Sequence, residues 1–477
     1  MPKDIGRRSP TLIPLVLLCV AILLSVIASS GPIQWMGNGM TLAEAARGQY
    51  FSQTLSPLEH PLYRLVTTSL HDLYGPRTLS LLNSLLLVPL AWMVVRLARS
   101  VGATPRQALV AALATLLSHA VFWVSTKAEV TLLHSLLVLL AYCMHTAWSA
   151  RLGVSRALFL IGLVTGLAAS VHQLTLVVLL PLYVQLLWQY RFKALLTAPG
   201  MLLGFAAAYP ALAHDLQAGV SLVEIGRRYL TGAATGLDGT PWEGAMLRFD
   251  AMWHEKNSVC IVLLSLIGPQ LAGLLLFPRT AAQRLLWSAA VLNLIFALSY
   301  NVFDRFTLFL PGIALLSILG VIELRRHLPR TRLGNTLLNM SALSGPLAIL
   351  FVYTLYSNGV IQLPTHTERL PFRDDIRYYT VPYLPDRSAE RFVRAYDETV
   401  PEGSLIVADW TPLGAMRAGQ TVGLLADRAL AMCGEAIDLR ARLGNPGVYL
   451  ARLSYCGMIA EDFALEGMPV GYALHTK

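Results

Sequence analysis

The chain has 477 residues, of which 55% are hydrophobic and only 14% are charged, whereas a soluble domain carries about 25% charged residues. This deficit argues against an ordinary soluble protein and predicts a membrane protein. The formal net charge is +9, but the sequence has no basic patch interleaved with aromatic residues, so nucleic acid is not an expected partner.

Apolar runs with about the length of a membrane-spanning helix recur along the whole chain. About eleven spans are predicted, at 11–29, 79–97, 107–124, 129–148, 157–171, 173–189, 194–212, 257–277, 284–300, 305–323 and 343–362. The first run follows basic residues but lacks a clean small-residue cleavage site, so a retained span is favoured over a signal peptide. His172 and Gln173 interrupt the stretch 157–189 and predict a tight turn there.

The charges of the connecting loops predict which side of the membrane each loop faces. The short loops on one side carry sixteen basic residues and two acids, whereas the longer loops on the other side carry nine basic residues and eleven acids. Because Lys and Arg accumulate in cytoplasmic loops, the first side and the N-terminus are predicted to be cytoplasmic. An odd number of spans then places 363–477 on the extracytoplasmic side of the membrane.

Two long loops, 30–78 and 213–256, lie on the predicted outer side. Loops of this length are uncommon unless they are functional. Each contains an amphipathic stretch, at 62–74 and 222–230, which is typical of a helix in the membrane interface.

Residues 363–477 differ from the rest of the chain in their sequence pattern. They predict a small soluble α/β domain that follows the transmembrane part, 1–362. Helix and strand patterns alternate there, with a helix at 387–399, a strand at 404–408, a helix from Pro412 and a strand near 430–433. Cys433 and Cys456 both lie in this region, and they can form a disulfide if it is extracytoplasmic.

Ionisable residues at the outer ends of the spans are the candidate functional set, because placing them at membrane depth is costly. They fall into five groups: Asn38, Glu44, Glu59, His60 and Arg64; Lys127 and Glu129; His172 and Gln173; Asn301, Asp304 and Arg305; and Arg227, Arg228, Arg248, His254, Glu255 and Lys256. Carboxylates can act as a general base or hold a divalent cation such as Mg²⁺ or Mn²⁺. Arg and Lys can bind the phosphate of a lipid head. Together these groups predict a glycosyl transfer that depends on a lipid phosphate.

Structural explanations for several of these residues remain open. Glu44 and Arg47 can form a solvated helix face, Lys127 and Glu129 can cap a turn, His172 can be a packing histidine, and Arg227 and Arg228 can contact lipid headgroups. Gly162 and Gly166 have the spacing of closely packed helices.

Several strings of the sequence occur in an order and spacing that resemble a known family. They are GNGMTLAEAARG (37–48), SPLEHPLYRL (56–65), FWVSTKAEVTLLHSLLVLL (122–140), GLAASVHQLTLVVLLP (166–181), YNVFDRFTLFLP (300–311), VPEGSLIVADW (400–410) and PVGYALHTK (469–477). These strings resemble a large family of bacterial membrane proteins related to protein O-mannosyltransferases, within the GT-C glycosyltransferase superfamily. The resemblance implies a multi-span helical fold, a large first outer loop and a sugar donor linked to polyprenyl phosphate.

The first outer loop departs from the pattern that this resemblance implies. The family's acidic string Gly-Asp-Ser-Gly-Glu places its Asp on Asn38 and its Glu on Thr41, and an amide cannot act as a base near neutral pH. Either Glu44 or Glu59 has taken over the role, or the alignment is displaced by a few residues, or the chain is not a transferase.

The predicted function is therefore a membrane glycosyltransferase that moves a sugar from a polyprenyl-phosphate donor to a glycan, lipid or protein acceptor at the periplasmic face. The expected catalytic group is Glu59, Glu44 and Asn38, and the expected substrate- and phosphate-binding group is His60, Arg64, Lys127, Glu129, His172, Asp304 and Arg305. The C-terminal domain is expected to help bind the acceptor. Two alternatives stay open: a catalytically inactive relative that acts as a binding or assembly subunit in cell-surface glycan production, and a membrane transporter.

Overall fold

The structure is a computed structural model, and part of the chain is left out of the description. It describes residues 23–24, 26, 30–52, 54–55, 59–75, 77–231, 248–250, 252, 256–361, 368–435, 437–444 and 446–477. The predicted span 11–29 lies outside the described residues apart from three positions, and so do His254 and Glu255 of the predicted site.

The described residues form a multi-span helical membrane protein. Seven helical segments are long and apolar enough to cross a membrane, and up to nine if each of two bent helix pairs counts as one span. The seven are Leu81–Ser100, Thr131–Leu152, Val154–Val171, Leu180–Gln217, Ala281–Ser299, Arg305–His327 and Arg332–Ser357, and the pairs are Pro105–Leu116 with His119–Ser125 and Lys256–Leu264 with Pro269–Leu275. Each matches a predicted apolar run, except that 173–189 and 194–212 fall within one segment. The multi-span architecture is confirmed, whereas the count of eleven is not.

Helices account for most of the described chain. In the first half they are α1 (Met36–Ala46), α2 (Pro61–Tyr74), α3 (Arg77–Ser100), α4 (Pro105–Leu116), α5 (His119–Ser125), α6 (Thr131–Cys143), α7 (Ser149–Leu152), α8 (Val154–Val171), α9 (Thr175–Val178), α10 (Leu180–Tyr190), α11 (Thr197–Gly204), α12 (Tyr209–Gln217) and α13 (Leu222–Thr231). In the second half they are α14 (Lys256–Leu264), α15 (Pro269–Leu275), α16 (Ala281–Ser299), α17 (Leu310–His327), α18 (Arg332–Met340), α19 (Ser344–Ser357), α20 (Asp375–Thr380), α21 (Ser388–Thr399), α22 (Trp410–Gln420) and α23 (Gly457–Asp462). Short 3₁₀ or π segments lie at Met144–Trp148, Arg191–Leu196, Phe205–Ala208, Arg305–Phe309, Ser341–Leu343 and Arg440–Arg442.

Helices α8 and α11 touch backbone to backbone through their glycines. A Cβ atom added to Gly162 would lie 1.9 Å from the Thr197 carbonyl oxygen, and one added to Gly204 would lie 2.0 Å from that of Leu163. The spacing of Gly162 and Gly166 is therefore a packing feature, as such small-residue patterns usually are in membranes.

Both amphipathic stretches of the outer loops form helices, α2 and α13. Helix α2 begins at Pro61, whose fixed φ and missing N–H suit the first turn of a helix. The residue before it, His60, has a left-handed backbone with φ of 45°, which is uncommon for a side chain other than glycine or asparagine. The turn predicted at His172 and Gln173 is also present, between α8 and α9.

The C-terminal region contains one mixed five-stranded sheet, so the predicted α/β character is confirmed. Its strands are β1 (Leu405–Ala408), β2 (Ala429–Met432), β3 (Val448–Leu450), β4 (Phe463–Gly467) and β5 (Tyr472–Thr476). The order is β2-β1-β3-β5-β4. Strand β1 runs parallel to both neighbours, with Leu405 level with Ala429 and Val448, whereas β5 is antiparallel to β3 and β4.

The two faces of this sheet are covered differently. Ile406 and Ala408 pack in the same core as α21 and α22. Leu405 and Val407 face a second core, in which Cys433 and Cys456 form a disulfide with their Cα atoms 5.6 Å apart.

Helix α22 packs closely against α1, so the first outer loop and the C-terminal region are in direct contact. A Cβ atom added to Gly39 would lie 2.3 Å from the Gly414 carbonyl oxygen, and one added to Gly414 would lie 2.1 Å from that of Met36. Only glycine at both positions permits this approach.

Candidate active site

Arg64 of α2 joins two acids of the first outer loop. Its guanidinium lies 3.2 Å from Glu44 Oε2 and 2.8 Å from Glu59 Oε2, and it donates to Gln49 Oε1 at 3.3 Å. Arg64 is only 9% exposed. Burial raises the pKa of the Glu44 carboxyl, and the charge of Arg64 opposes that shift. Three of the predicted residues, Glu44, Glu59 and Arg64, thus meet here. Together with Gln49 they are termed the arginine cluster.

A second group, termed the turn cluster, surrounds the short turn between α5 and α6 and comprises Asn38, Lys127, Glu129 and Asp304. Asn83 of α3 holds this turn in place, because its amide donates to the backbone oxygens of Lys127 at 2.7 Å and Glu129 at 2.6 Å. No pattern in the sequence indicates this role for Asn83, which looks like an ordinary polar residue within a span.

Glu129 lies outside the spans, just before α6, and it is bound on both oxygens. With its amide nitrogen turned toward the carboxylate, Asn38 donates to Glu129 Oε2 at 2.9 Å, while the Val130 N–H donates to Oε1 at 3.0 Å. Burial raises the pKa of Glu129 to about 8, and the negative charge of Asp304 adds to this shift. Burial likewise raises the pKa of Asp304. The carboxyls of Glu129 and Asp304 therefore interact electrostatically, as two groups of one site would.

Lys127 presents an ammonium group to aromatic rings. Its Nζ lies 4.0 Å from the ring centroid of Trp123 and 5.2 Å from that of Tyr378, and it donates to Thr126 Oγ1 at 3.3 Å. Burial lowers the pKa of Lys127 to about 7, against the opposing charges of Asp386 and Glu129. Within the described residues no carboxylate oxygen pairs with this ammonium, and the side chain borders a small cavity of about 50 Å³.

Helices α1 and α2 link the two clusters. Asn38 and Glu44 are six residues apart on α1, which is about 9 Å along a helix. On α2, Arg64 belongs to the arginine cluster, whereas its neighbour Tyr63 faces the turn cluster. Burial raises the pKa of the Tyr63 hydroxyl, and the charge of Glu129 contributes. The structure thus brings the first-loop acids and the Glu129 turn into one region at the ends of α1 and α2.

His60 and His172 stack on each other with ring centroids 5.3 Å apart. His60 Nδ1 lies 2.9 Å from the Val171 carbonyl oxygen, and His172 Nδ1 accepts from the Leu174 N–H at 3.1 Å. Burial lowers the pKa of His60 to about 4, so this ring is neutral near pH 7. A neutral imidazole can exchange hydrogen bonds with a sugar or a phosphate, but it contributes no charge.

Arg305 does not present its charge to the site. Its guanidinium donates to the carbonyl oxygens of Val302 and Leu298, each at 2.9 Å, and to Asn301 Oδ1 at 3.2 Å. The side chain is fully buried. The structure gives Arg305 the role of holding the loop before its own helix, in place of the predicted phosphate contact, and this loop positions Asp304.

Sequence reasoning overlooked an aromatic and basic group at the start of the C-terminal region. The Arg373 guanidinium lies 4.9 Å from the Trp35 ring and 4.6 Å from the Tyr378 ring, and it donates to Asp375 at 2.5 Å and to the Tyr379 hydroxyl at 3.0 Å. The available signal was the string PFRDDIRYY (371–379), which gathers Arg and Tyr soon after the last apolar run.

The predicted divalent cation can be tested against the ligands at hand. Among the residues that the structure describes, no group of three or more His, Cys, Asp and Glu side chains is arranged to hold a metal ion. Glu44 and Glu59 are occupied by Arg64. Within the described part of the chain, these side chains do not fit a resident metal ion.

Comparison with known proteins agrees with this architecture. No protein family model matches the sequence, and no curated protein matches it. Among solved structures, the chain is similar to ArnT from Cupriavidus metallidurans bound to undecaprenyl phosphate and to the same protein in the apo state. Each match has a TM-score of 0.54 at 12% identity and covers 97% of both chains. The chain is thus a multi-pass membrane protein whose overall fold is similar to that of ArnT.

Proposed function

We propose that this protein is a glycosyltransferase that moves a sugar from a polyprenyl-phosphate donor to an acceptor at the periplasmic face of a bacterial inner membrane. The observation that carries the proposal is the region in which three partly buried acids (Glu44, Glu59 and Glu129) lie beside the cations Arg64 and Lys127. The fold that holds them is similar over 97% of the chain to a protein crystallised with undecaprenyl phosphate. The orientation rests on the sixteen basic residues of the predicted cytoplasmic loops.

The reaction that these residues suit is a displacement at the anomeric carbon of the sugar. A carboxylate accepts the proton of the acceptor hydroxyl, the acceptor oxygen bonds to the anomeric carbon, and the bond from that carbon to the phosphate oxygen breaks. Glu59 is the proposed base, because it lies next to α2, remains one-quarter exposed and is held in place by Arg64 at 2.8 Å. Glu44 shares Arg64 and supports this arrangement.

The departing lipid phosphate needs a positive partner, and Lys127 is the best suited. Its ammonium has no carboxylate partner among the described residues, so binding a phosphate there breaks no existing ion pair. Charge-assisted bonds to phosphate are among the strongest in proteins. His60, His172, Glu129 and Asp304 would line the sugar, with hydrogen bonds rather than net positive charge.

We also propose that residues 1–362 form a transmembrane part and that residues 363–477 form a periplasmic part. A relationship to protein O-mannosyltransferases is proposed as well. The contact between Gly39 and Gly414 supports a C-terminal region that acts together with the first outer loop, as an acceptor-binding element would.

A second function is favoured by one observation. Asn38 stands where the resemblance expects an acid, and its amide is engaged with Glu129. A catalytically inactive relative that binds lipid-linked sugars for cell-surface glycan assembly would retain the lipid-phosphate site and lose the base.

One experiment separates the two functions. Sugar transfer is measured in membranes that contain the wild type, Glu59→Gln or Glu44→Gln, with Glu224→Gln on the exposed face of α13 as the matched control. A lost general base lowers transfer about a hundredfold or more, so Glu59→Gln should be nearly inactive and the control unchanged. Full activity in both site variants would remove the catalytic proposal. Undecaprenyl phosphate binding without any transfer by the wild type would identify the binding subunit instead.

A further inference from the structure

The second core of the C-terminal sheet borders an open cavity of about 380 Å³. Its floor is apolar and buried, and it is formed by Val407 of β1, Ala431 of β2, Ile459 of α23 and Phe463 of β4. The cavity lies toward the carboxyl ends of the parallel strands β1 and β2, the edge at which α/β sheets usually bind ligands. Its volume falls within the range of small-molecule sites.

The rim of this cavity is acidic. Glu435, Asp438 and Asp462 border it, and Arg440 is the one cation in the described lining. The Arg440 guanidinium lies 5.8 Å from the Phe463 ring, and Asp438 accepts from the Ala441 N–H at 3.1 Å. Among the described residues, the carboxylates of Glu435 and Asp462 make no hydrogen bond or ion pair. They are therefore available as acceptors for a ligand.

This lining selects a ligand class by its chemistry. Carboxylates accept hydrogen bonds from hydroxyl and ammonium groups, and three acids against one cation repel a phosphate or a sulfate. An apolar floor with an aromatic ring suits the carbon–hydrogen face of a sugar ring. A lipid phosphate is thus disfavoured, whereas a neutral or amino-bearing saccharide matches both the rim and the floor.

The walls of the cavity are held by a covalent link. Cys433 directly follows β2 and Cys456 directly precedes α23, and their disulfide closes a loop with a sequence separation of 23. It joins the segment that carries Glu435 to the helix that carries Asp462. Because both sides of the rim are tied together before a ligand arrives, less ordering is needed on binding.

The rim is also linked electrostatically to the arginine cluster. Arg417 of α22 contacts Met40 of α1, with Nη1 3.7 Å from the sulfur. Burial lowers the pKa of Arg417, with further influence from Arg47 and opposing influence from Glu435 and Glu44. One side chain therefore interacts with both the cavity rim and an acid of the proposed active site.

We infer that the cavity between β1, β2 and α23 binds a neutral or amino-bearing saccharide and serves as the acceptor subsite of this protein. The acceptor role rests on the proposed function, whereas saccharide binding does not. Glu435 and Asp462 accept hydrogen bonds from the sugar, and the floor around Phe463 contacts its apolar face.

The test uses the full chain in lipid nanodiscs and fluorescein-labelled trisaccharides. The probes are chitotriose, its amino-bearing de-N-acetylated form and a sulfated trisaccharide, and the readout is fluorescence anisotropy. Chitotriose or its amino form should bind the wild type, and the double variant Glu435→Gln/Asp462→Asn should weaken that binding about tenfold or more. The control pair Glu402→Gln/Glu461→Gln also removes two exposed acids, outside the cavity, and should bind as the wild type does. Met458→Trp at the half-exposed rim narrows the cavity and should also weaken binding.

Equal binding by the wild type and the rim variants would overturn the inference, and so would preferential binding of the sulfated probe or no binding of any probe. Undecaprenyl phosphate binding is followed in the same samples by thermal shift. A wild type that binds the trisaccharide but not undecaprenyl phosphate would retain the saccharide site and refute the lipid-donor proposal. A wild type that binds undecaprenyl phosphate but not the trisaccharide would refute the saccharide site and retain the lipid-donor proposal.

Discussion

Asn38 donates a hydrogen bond to Glu129 over 2.9 Å and so ties the first outer loop to the turn before α6. The contact joins two segments ninety-one positions apart in the sequence. Asn38 is therefore a neutral partner of the Glu129 carboxyl. An acid at position 38 would place a second negative charge beside that carboxyl.

Replacing Asn38 with Asp should make folding stability fall more steeply with rising pH than in the wild type, where the pKa of Glu129 is already raised. Two adjacent buried carboxyls share a proton, so their folded-state pKa values rise above the unfolded value of about 4. The folded state then binds more protons than the unfolded state, and stability falls as pH rises from about 4 toward the pKa of about 8 that Glu129 already has. We expect a loss of about 2 kcal/mol near pH 8.

Thermal unfolding of Asn38→Asp in detergent at about pH 5 and about pH 8 measures this effect. Asn358→Asp, at the exposed end of α19, is the matched control and should show the pH dependence of the wild type. An Asn38→Asp protein whose midpoint tracks the wild type at both pH values would contradict the proposed proximity.

Arg64→Met should destabilise the protein by about 2 kcal/mol, because it leaves Glu44 and Glu59 without their shared partner. The change keeps much of the side-chain length and removes only the charge and the donors. Glu44→Gln and Glu59→Gln each leave Arg64 one carboxylate partner, so each should cost less than Arg64→Met. The midpoints of chemical unfolding rank the three variants. An Arg64→Met protein as stable as the wild type would show that the cluster contributes no net stability.

Undecaprenyl phosphate binding should weaken as pH rises if Lys127 holds the phosphate. Its pKa of about 7 means that the ammonium is charged below about pH 7 and largely neutral by about pH 9. Lys127→Arg stays charged across this range, so its affinity should vary less, and Lys127→Met should bind weakly throughout. Isothermal titration with each protein at several pH values supplies the comparison. Parallel pH profiles for the wild type and Lys127→Arg would assign the phosphate to another residue.

Gly162→Ala should disrupt the contact between α8 and α11 at a cost of about 2 kcal/mol, because the added methyl group meets the Thr197 carbonyl oxygen at 1.9 Å. Gly226→Ala is the matched control: its Cβ meets nothing within 4 Å, and alanine favours the helix by about 1 kcal/mol. Thermal unfolding should therefore lower the midpoint for Gly162→Ala and leave it equal or higher for Gly226→Ala. A neutral Gly162→Ala would mean that the helices can move apart without loss.

Local patterns predicted the elements that depend only on local chemistry. The amphipathic residues at 387–399 predicted α21, which runs from Ser388 to Thr399, because burial of one helix face leaves a periodic pattern. The strand at 404–408 was predicted from its local sequence pattern. The turn at His172 was predicted because polar residues interrupt the apolar stretch 157–189. Arg305 shows the limit of this approach, because an Arg beside an Asp at a span end looks like a phosphate ligand. Its guanidinium instead donates to the carbonyl oxygen of Val302 in the preceding loop and to that of Leu298 in α16.

The sequence by itself determined that this is a multi-span membrane protein with an α/β region after the last span, because long apolar runs and alternating patterns record the solvent around each segment. Only the tertiary structure decided which polar residues meet. The pairing of Asn38 with Glu129, the stacking of His60 on His172, the aromatic group around Arg373 and the cavity beside the Cys433–Cys456 disulfide all join distant segments. Such contacts leave no periodic trace in the sequence, since each depends on how the helices cross and not on what any one helix buries.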